Sequence, residues 1–326
     1  MENENKDLCV VLLNYKTPSL VKDCLDTLLP QVRKLSASIV LVDNNSPDDS
    51  ISCIRDWIAR NSAEQNVRLI ASQENGGFAA GNNIGISSEN AEYYLLVNSD
   101  TLFAGGALTA MLAAISEDKK VGLLSPRLQW PDGIPQESCF RYHRPISQMI
   151  SSSGVGIIRQ LFSGFEVARR VCNSDADCEW TSFACVMVRK KVFDEIGLLD
   201  DEFFMYFEDV EFCKRATAAG WIIRNHPLAR VVHLRGGSSP VKANKSQRKR
   251  QAKYFYESRT RYFYLLYGRF GLLRANLFWT LGWLIACTRS VFQRRFSPPV
   301  CKCEWKDIWT NFFRPNRPYT HPDASK

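Results

Sequence analysis

None of the eleven cysteines stands in a CxxC pair, and the count is odd. Met1 to Asp7 is polar and mixed in charge, so no charged-then-apolar leader precedes residue 10. These absences exclude a disulfide-stapled scaffold and the common zinc modules, and they fit a reducing cytosolic compartment. The single CxC, Cys301 and Cys303, lacks the second pair that a tetrahedral metal site needs. Glycine is missing where a dinucleotide-binding turn requires it. The first apolar run, Leu8 to Leu13, is followed by Asn14-Tyr-Lys-Thr-Pro18, which excludes a GxGxxG dehydrogenase. The apolar stretch Leu277 to Cys287 is shorter than the roughly 20 residues that cross a bilayer. Acidic residues are nearly absent from 242–295, where thirteen Lys and Arg face only Glu257. That stretch therefore carries a net +12, and the +8 of the whole chain leaves a mildly acidic body of −4.

What is present reads as alternating strands and helices. The chain has 326 residues, 45% of them apolar, enough for about two domains or one large α/β domain with additions. Leu8 to Leu13, Ile39 to Val42, Val67 to Ala71 and Tyr93 to Val97 are short apolar runs suited to buried parallel strands. Helical patterns separate them: one opened by Pro18, one carrying Ile51, Ile54, Trp57 and Ile58 on one face, and one from about Phe78. Successive βα units predict an open, mostly parallel sheet with helices on both faces. Ligands bind such sheets at the carboxyl ends of the strands. A polar cluster follows each of the four strands there: Asn14-Tyr15, Asp43-Asn-Asn-Ser-Pro, Asn75-Gly-Gly and Asn98-Ser-Asp100.

Six segments in this order, LLNYKTP, VDNNSPD, NGGFAAGNN, LVNSDT, FFMYFEDVEFCKRATAAGW and VVHLRGGSS, resemble glycosyltransferase family 2, the GT-A fold group. The resemblance covers roughly residues 7 to 237 and is nearest to the bacterial rhamnosyltransferase-like branch, which builds cell-surface polysaccharides such as lipopolysaccharide. It implies a nucleotide-sugar donor, inversion at the anomeric carbon and a divalent cation, Mg2+ or Mn2+. The implied donor-binding residues are Asn14, Tyr15, Asp43, Asn75, Gly76, Asn82, Asn83 and Asp100. Asp43 can accept hydrogen bonds from a base or ribose, and equally can cap the helix that begins near Pro47. Asp100 matches the second carboxylate of the family's DxD element. The first position here is Asn98, so one carboxylate is left for the metal, and His233 resembles a histidine that completes the site.

The acidic stretch Glu208-Asp209, with Glu211 nearby, sits among Phe203, Phe204, Tyr206, Phe207 and Phe212. A sugar hydroxyl is too weak an acid to ionise at neutral pH, so a carboxylate must take its proton during attack. The family pattern points to Asp209 as that base, with Glu208 or Glu211 as its support. Acidic residues also favour helix N-termini, so the same cluster suits a helix start. Arg235 and Arg259 are candidates to meet the leaving group. Trp180 to Arg189 reads as a strand bordering the acceptor, with 127–178 as a mobile loop over it.

The expectation is a GT-A domain over 1–240 and a basic, aromatic-rich helical extension over 241–326. The extension suits the surface of an anionic membrane, with Trp279 and Trp283 at headgroup depth, although a buried core helix fits the same run. The best reading is a cytoplasmic enzyme, peripheral on the inner face of the membrane. It moves a sugar, best rhamnose, from a dTDP- or UDP-sugar to a lipid-linked or polysaccharide acceptor. Galactofuranosyl, mannosyl and N-acetylglucosaminyl transfer are the alternatives, and a non-catalytic nucleotide-sugar-binding protein is the rival outside the enzymes. No nucleic-acid partner is expected.

Overall fold

The computed structural model describes residues 6–235, 241–293 and 295–322. The first five residues, the 236–240 stretch that ends the HLRGGSS motif and holds the expected domain boundary, and Arg294 of the basic count lie outside the described residues.

The elements run β1 (Lys6–Asn14), α1 (Pro18–Val32), β2 (Ala37–Asp43), α2 (Ser50–Arg60), β3 (Val67–Ala71), α3 (Gly77–Ser87), β4 (Ala91–Asn98), β5 (Thr101–Phe103), α4 (Ala107–Glu117) and β6 (Val121–Gln129). Then come β7 (Cys139–Phe140), α5 (Pro145–Ser153), α6 (Gly156–Leu161), β8 (Ala176–Asp177), β9 (Trp180–Thr181), β10 (Cys185–Arg189) and α7 (Lys190–Ile196). The last are α8 (Glu208–Ala218), β11 (Ile222–His233), α9 (Val241–Ser246), α10 (Lys253–Phe292) and α11 (Glu304–Asp307).

The chain divides into two compact units, and the division does not follow a single cut in the sequence. The first holds the residues up to Phe140, then Arg170–Asp201 and Phe212–Ser238; the second holds Arg141–Arg169, Glu202–Glu211 and everything after Ser239.

In the first unit the sheet order is β3-β2-β1-β4-β10-β6-β11-β5, with β8 pairing β11. β1, β2, β3 and β4 pair in parallel. β10 is antiparallel to both β4 and β6, so two reversals cancel and β6 runs in the same sense as β4. β11 is parallel to β6. The carboxyl ends of β1, β2, β4 and β11 therefore share one edge of the sheet.

Why β1 lies at the centre is legible in its burial: Leu8 to Leu12 are wholly inaccessible on both faces. Each such side chain contributes about 1.5–3 kcal/mol when fully buried. One face meets α1, whose Val21, Cys24, Leu25, Leu28 and Val32 recur at helical spacing and pack with Leu8, Val10 and Leu12. On the other face α3 approaches so closely that a Cβ on Gly85 would sit 2.3 Å from Val11 Cγ1. No side chain larger than hydrogen fits there.

In the second unit α5 and α10 pack closely: a Cβ on Gly282 would meet Ser152 Oγ at 2.2 Å, and Ser152 donates to the Trp279 carbonyl at 2.8 Å. The 127–178 stretch was expected to be a mobile loop. Part of it instead forms helices α5 and α6, and buried Ser147, Ser152 and Ser153 show α5 to be a packed element. Its composition is polar because its serines bond to backbone carbonyls. α10 is two helices joined at Gly268, where φ is 67° and ψ is −174°, a conformation that glycine adopts without strain. The basic count also needs correcting as a description of the surface, because Arg259 is buried. Its Nε donates to Gln148 at 3.0 Å and its Nη1 to Asn276 at 2.8 Å. Burial pulls this guanidinium down to about 10.

Candidate active site

The strand-edge residues of the first unit form a hydrogen-bonded frame. Asn14, at the end of β1, donates to Asp43 Oδ1 at 2.6 Å and to Ser46 Oγ at 3.2 Å. Its side-chain oxygen Oδ1 accepts from the Thr17 amide and hydroxyl, both at 3.2 Å. Asp43 is fully buried and its second oxygen accepts the Ser46 N–H at 2.9 Å. Both residues thus fasten the turns after β1 and β2, and the free lone pairs of Asp43 are what a ribose or base could use. Tyr15 is half-buried beside them, with the Lys16 ammonium 4.7 Å from its ring centre.

The glycine turn before α3 is built by Asn75. Its side-chain oxygen accepts from Asn44 Nδ2 at 3.0 Å and from the Gly77 N–H at 3.1 Å, while Gly77 takes φ 85°. Gly76 caps α3. Asn82 donates to the Phe78 carbonyl at 2.9 Å, and its buried Oδ1 has no partner; nor has the buried Oδ1 of Asn44. Two orphaned acceptors, one on the turn after β2 and one in α3, suit N–H or O–H donors of a ligand. Asn44 was not among the residues singled out from sequence, although it stands beside Asp43 in the same polar cluster. Asn83 goes elsewhere: its amide donates to the Leu199 carbonyl at 2.9 Å and its oxygen accepts the Leu199 N–H at 3.1 Å. It ties α3 to the chain after α7.

Asp100 follows β4 on a tight turn fastened by Thr101 Oγ1 to the Asn98 carbonyl at 2.8 Å and by Ser99 to Thr17 at 3.0 Å. Across from it, at the end of β11, His233 Nε2 lies 3.5 Å from Asp100 Oδ1. Both side chains are buried. The Leu234 N–H reaches the Asp100 carbonyl at 2.9 Å, so backbone pairing holds the two residues in register. His233 Nδ1 is buried without a hydrogen-bond partner. Among the described residues no three His, Cys, Asp or Glu side chains converge, and at this point they offer the pair Asp100 and His233. One carboxylate and one imidazole facing each other suit a divalent cation whose remaining positions are filled by substrate phosphates and water.

Gln136 and Arg235 were not read from sequence as one unit with this pair. Gln136 donates to the His233 carbonyl at 2.6 Å and accepts from Arg235 Nε at 2.5 Å. The Arg235 guanidinium covers the Trp130 ring at 5.2 Å, and burial lowers its proton affinity against the opposing pull of Glu137 and Asp100. No spacing rule links positions 100, 136 and 235.

The acidic stretch opens α8, and Glu208 to Glu211 belong to the second unit. Tyr206 and Phe207 precede it with φ of 72° and 71°, two consecutive side-chain-bearing residues in the left-handed region. Such a strained turn costs on the order of 1–3 kcal/mol per residue and survives because its surroundings hold it. Those surroundings are aromatic: Phe207 packs against Tyr262 at 5.2 Å and His143 at 5.4 Å. Glu208 is buried, its Oε2 has no partner, and burial together with Asp209 raises its carboxyl well above 4.5. Burial thus favours its protonated form, which carries no like charge beside Asp209. Asp209 itself is half-buried, and its Oδ1 accepts the Val210 N–H at 2.8 Å. Trp180 stacks on Phe140 at 4.3 Å, and β10, expected at the acceptor border, is a central strand of the sheet.

Comparison with known proteins gives a consistent answer. The model of the family described as Glycosyl transferase family 2 matches residues 9–197, more than half of the chain. An N-acetylglucosaminyl-diphospho-decaprenol L-rhamnosyltransferase of Mycobacterium tuberculosis is 26% identical over 273 residues, covering 79% of this chain and 83% of that protein. A low-salt glycan biosynthesis hexosyltransferase of Haloferax volcanii is 26% identical over 231 residues, 70% of this chain and 67% of that one. Among solved structures, a mannosyltransferase from Pyrobaculum calidifontis in complex with GDP-Man and Mn2+ superposes with a TM-score of 0.54 at 14% identity, covering 96% of this chain and 86% of that one.

Proposed function

The chain belongs to glycosyl transferase family 2 and is a glycosyltransferase of glycan synthesis, and from that premise we propose that it is an inverting rhamnosyltransferase acting on a lipid-linked or polysaccharide acceptor. The donor in this reading is a deoxythymidine diphosphate sugar, with the uridine form as the other candidate. The observation that carries it is the buried Asp100–His233 pair at the strand edge, 3.5 Å apart. The relative from Mycobacterium tuberculosis, named for rhamnosyl transfer to a polyprenyl diphosphate sugar, supports the choice of sugar and acceptor.

The chemistry follows from these groups. The acceptor hydroxyl oxygen bonds to the anomeric carbon while the bond from that carbon to the diphosphate oxygen breaks, which inverts the centre. Asp209 takes the hydroxyl proton, and the electron pair leaves with the nucleoside diphosphate. Burial disfavours the charged form of Glu208, which limits the negative charge around Asp209. Asp100 and His233 would hold Mg2+ or Mn2+, which supplies electrostatic stabilisation of the departing diphosphate. Arg235, fixed by Gln136, adds positive charge beside Asp100. Asn14, Asp43, Asn44, Asn75, Gly76 and Asn82 order the turns that receive the nucleotide. A lipid-linked acceptor places the enzyme on the inner face of the membrane, peripheral to it.

The test is a thermal-shift screen of nucleotide sugars with and without Mn2+ or Mg2+. A ligand that binds only the folded state raises the melting temperature in proportion to its excess over Kd. The proposal expects dTDP-rhamnose to stand out and its shift to need the cation. A screen in which no nucleotide sugar shifts the transition contradicts the proposal.

A further inference from the structure

The second half of α10 has a face that the fold leaves uncovered. At 100° per residue, Phe270, Leu277, Leu281, Leu284, Val291 and Phe292 fall on one side of the helix, and all are exposed, Phe270 and Phe292 by 80% and 81%. The opposite side, Leu272, Ala275, Trp279, Gly282 and Ala286, is buried. That buried side is occupied by α5, with Gly282 against Ser152 and Asn276 engaged by the Arg259 guanidinium. The stripe from 270 to 292 extends over roughly 33 Å at about 1.5 Å rise per residue. Monomeric proteins seldom leave so long an apolar strip open to water.

The charge around the stripe decides what covers it. No Asp or Glu occurs between Glu257 and Glu304. Of the next two acids, Asp307 is buried and held by Arg250 at 2.7 and 2.8 Å, and Glu304 is mostly withdrawn from water, accepting the Cys301 N–H at 2.7 Å. Outward-facing charge over this stretch is cationic: Arg269, Arg274, Arg295, Lys302, Arg314 and Arg317 are exposed. Two copies of such a surface repel each other, whereas a sheet of anionic headgroups over acyl chains matches both its sign and its apolar stripe.

We propose that this face of α10 docks on an anionic bilayer with the helix lying in the interfacial plane. It does not cross the membrane. By length and composition the helix passes for a span, with a mean hydropathy of 1.3 over its best window. A span would have to strip α5 from the buried side and expose Asn276 and the Arg259 guanidinium to hydrocarbon, at several kcal/mol for each unsatisfied group. Docking in the plane keeps those bonds. This inference rests on the uncovered face and not on the sugar chemistry, so it stands or falls in the absence of any substrate.

The experiment is flotation of the full chain with vesicles of phosphatidylcholine alone or mixed with phosphatidylglycerol, at low and high salt. The proposal expects flotation only with the mixed vesicles, weakened by salt, and release by alkaline carbonate. Leu277→Glu/Leu281→Glu/Leu284→Glu should reduce binding by at least about tenfold. Its melting temperature and mass by light scattering should match wild type. Arg274→Glu is a second, milder variant that should weaken binding and steepen nothing else. Three results overturn the idea: carbonate-resistant insertion, which means a span; equal flotation of the triple variant; or a wild-type dimer that the triple variant makes monomeric, which means the stripe is covered by a second copy.

Discussion

Asp43 and Glu208 are both carboxylates removed from water, yet their surroundings treat them in opposite ways. Around Asp43 the first unit supplies donors: Asn14 Nδ2 on one oxygen and the Ser46 N–H on the other. Around Glu208 burial and the neighbouring Asp209 leave Oε2 unpartnered and raise the carboxyl above its ordinary value. A satisfied carboxylate fixes a turn before any ligand arrives. An unsatisfied one is costly to keep and marks a place where a proton is handled. In the proposed reading the strand edge is a preformed cradle for the donor, and Asp209 on α8 is the base.

That contrast can be broken at several points. The largest effect is expected from Asp100→Ala or His233→Ala. Each removes one of the two proposed cation ligands, so cation-dependent donor affinity should fall by about 10²-fold in a calorimetric titration, with the ligand-free melting temperature little changed. Equal affinity in wild type and variant would show that the pair plays no part in holding the donor. Asp43→Ala should act on the fold instead. It leaves one N–H of the Asn14 amide and the Ser46 N–H without their acceptor, a loss of about 1–3 kcal/mol in denaturant unfolding. A change below about 0.5 kcal/mol would mean that Asp43 is not the fastening assigned to it. Glu208→Gln gives the smallest effect and sharpens the comparison through pH. The folded-state pKa of Glu208 lies above the unfolded 4.5, so the folded protein binds the extra proton and stability falls as pH rises from there. Gln carries no proton to lose, so the variant's stability curve should be flatter above that pH. Superimposable curves would contradict the assigned protonation.

How much of this could be read in the sequence varies by element. The strands β1 to β4 are apolar runs ended by polar turns, and each is found within about two residues of its expected span. The strand-edge residues were legible because sheet topology brings turns distant in sequence to one edge. Asn83 misled because an asparagine in a glycine turn looks the same whether it faces a ligand or, as here, the Leu199 backbone. Gln136 and its link to Arg235 escaped notice because only the pairing of β11 with β6 and β5 brings Arg235 back toward Gln136. Residues 127–178 looked like a loop because the serines of α5 satisfy backbone carbonyls inside the second unit, a role that hydropathy cannot register. The basic count overstated the charged surface for a related reason: Arg259 is a core residue, held by Gln148 and Asn276.

The division between cradle and reactive turn is tested most directly by Asp209→Asn, with donor binding by calorimetry and single-turnover transfer measured on the same preparation. The account predicts a donor Kd within about threefold of wild type and a transfer rate at least about 10²-fold lower. Transfer above about a tenth of the wild-type rate, or a variant that loses donor binding and transfer together, contradicts it.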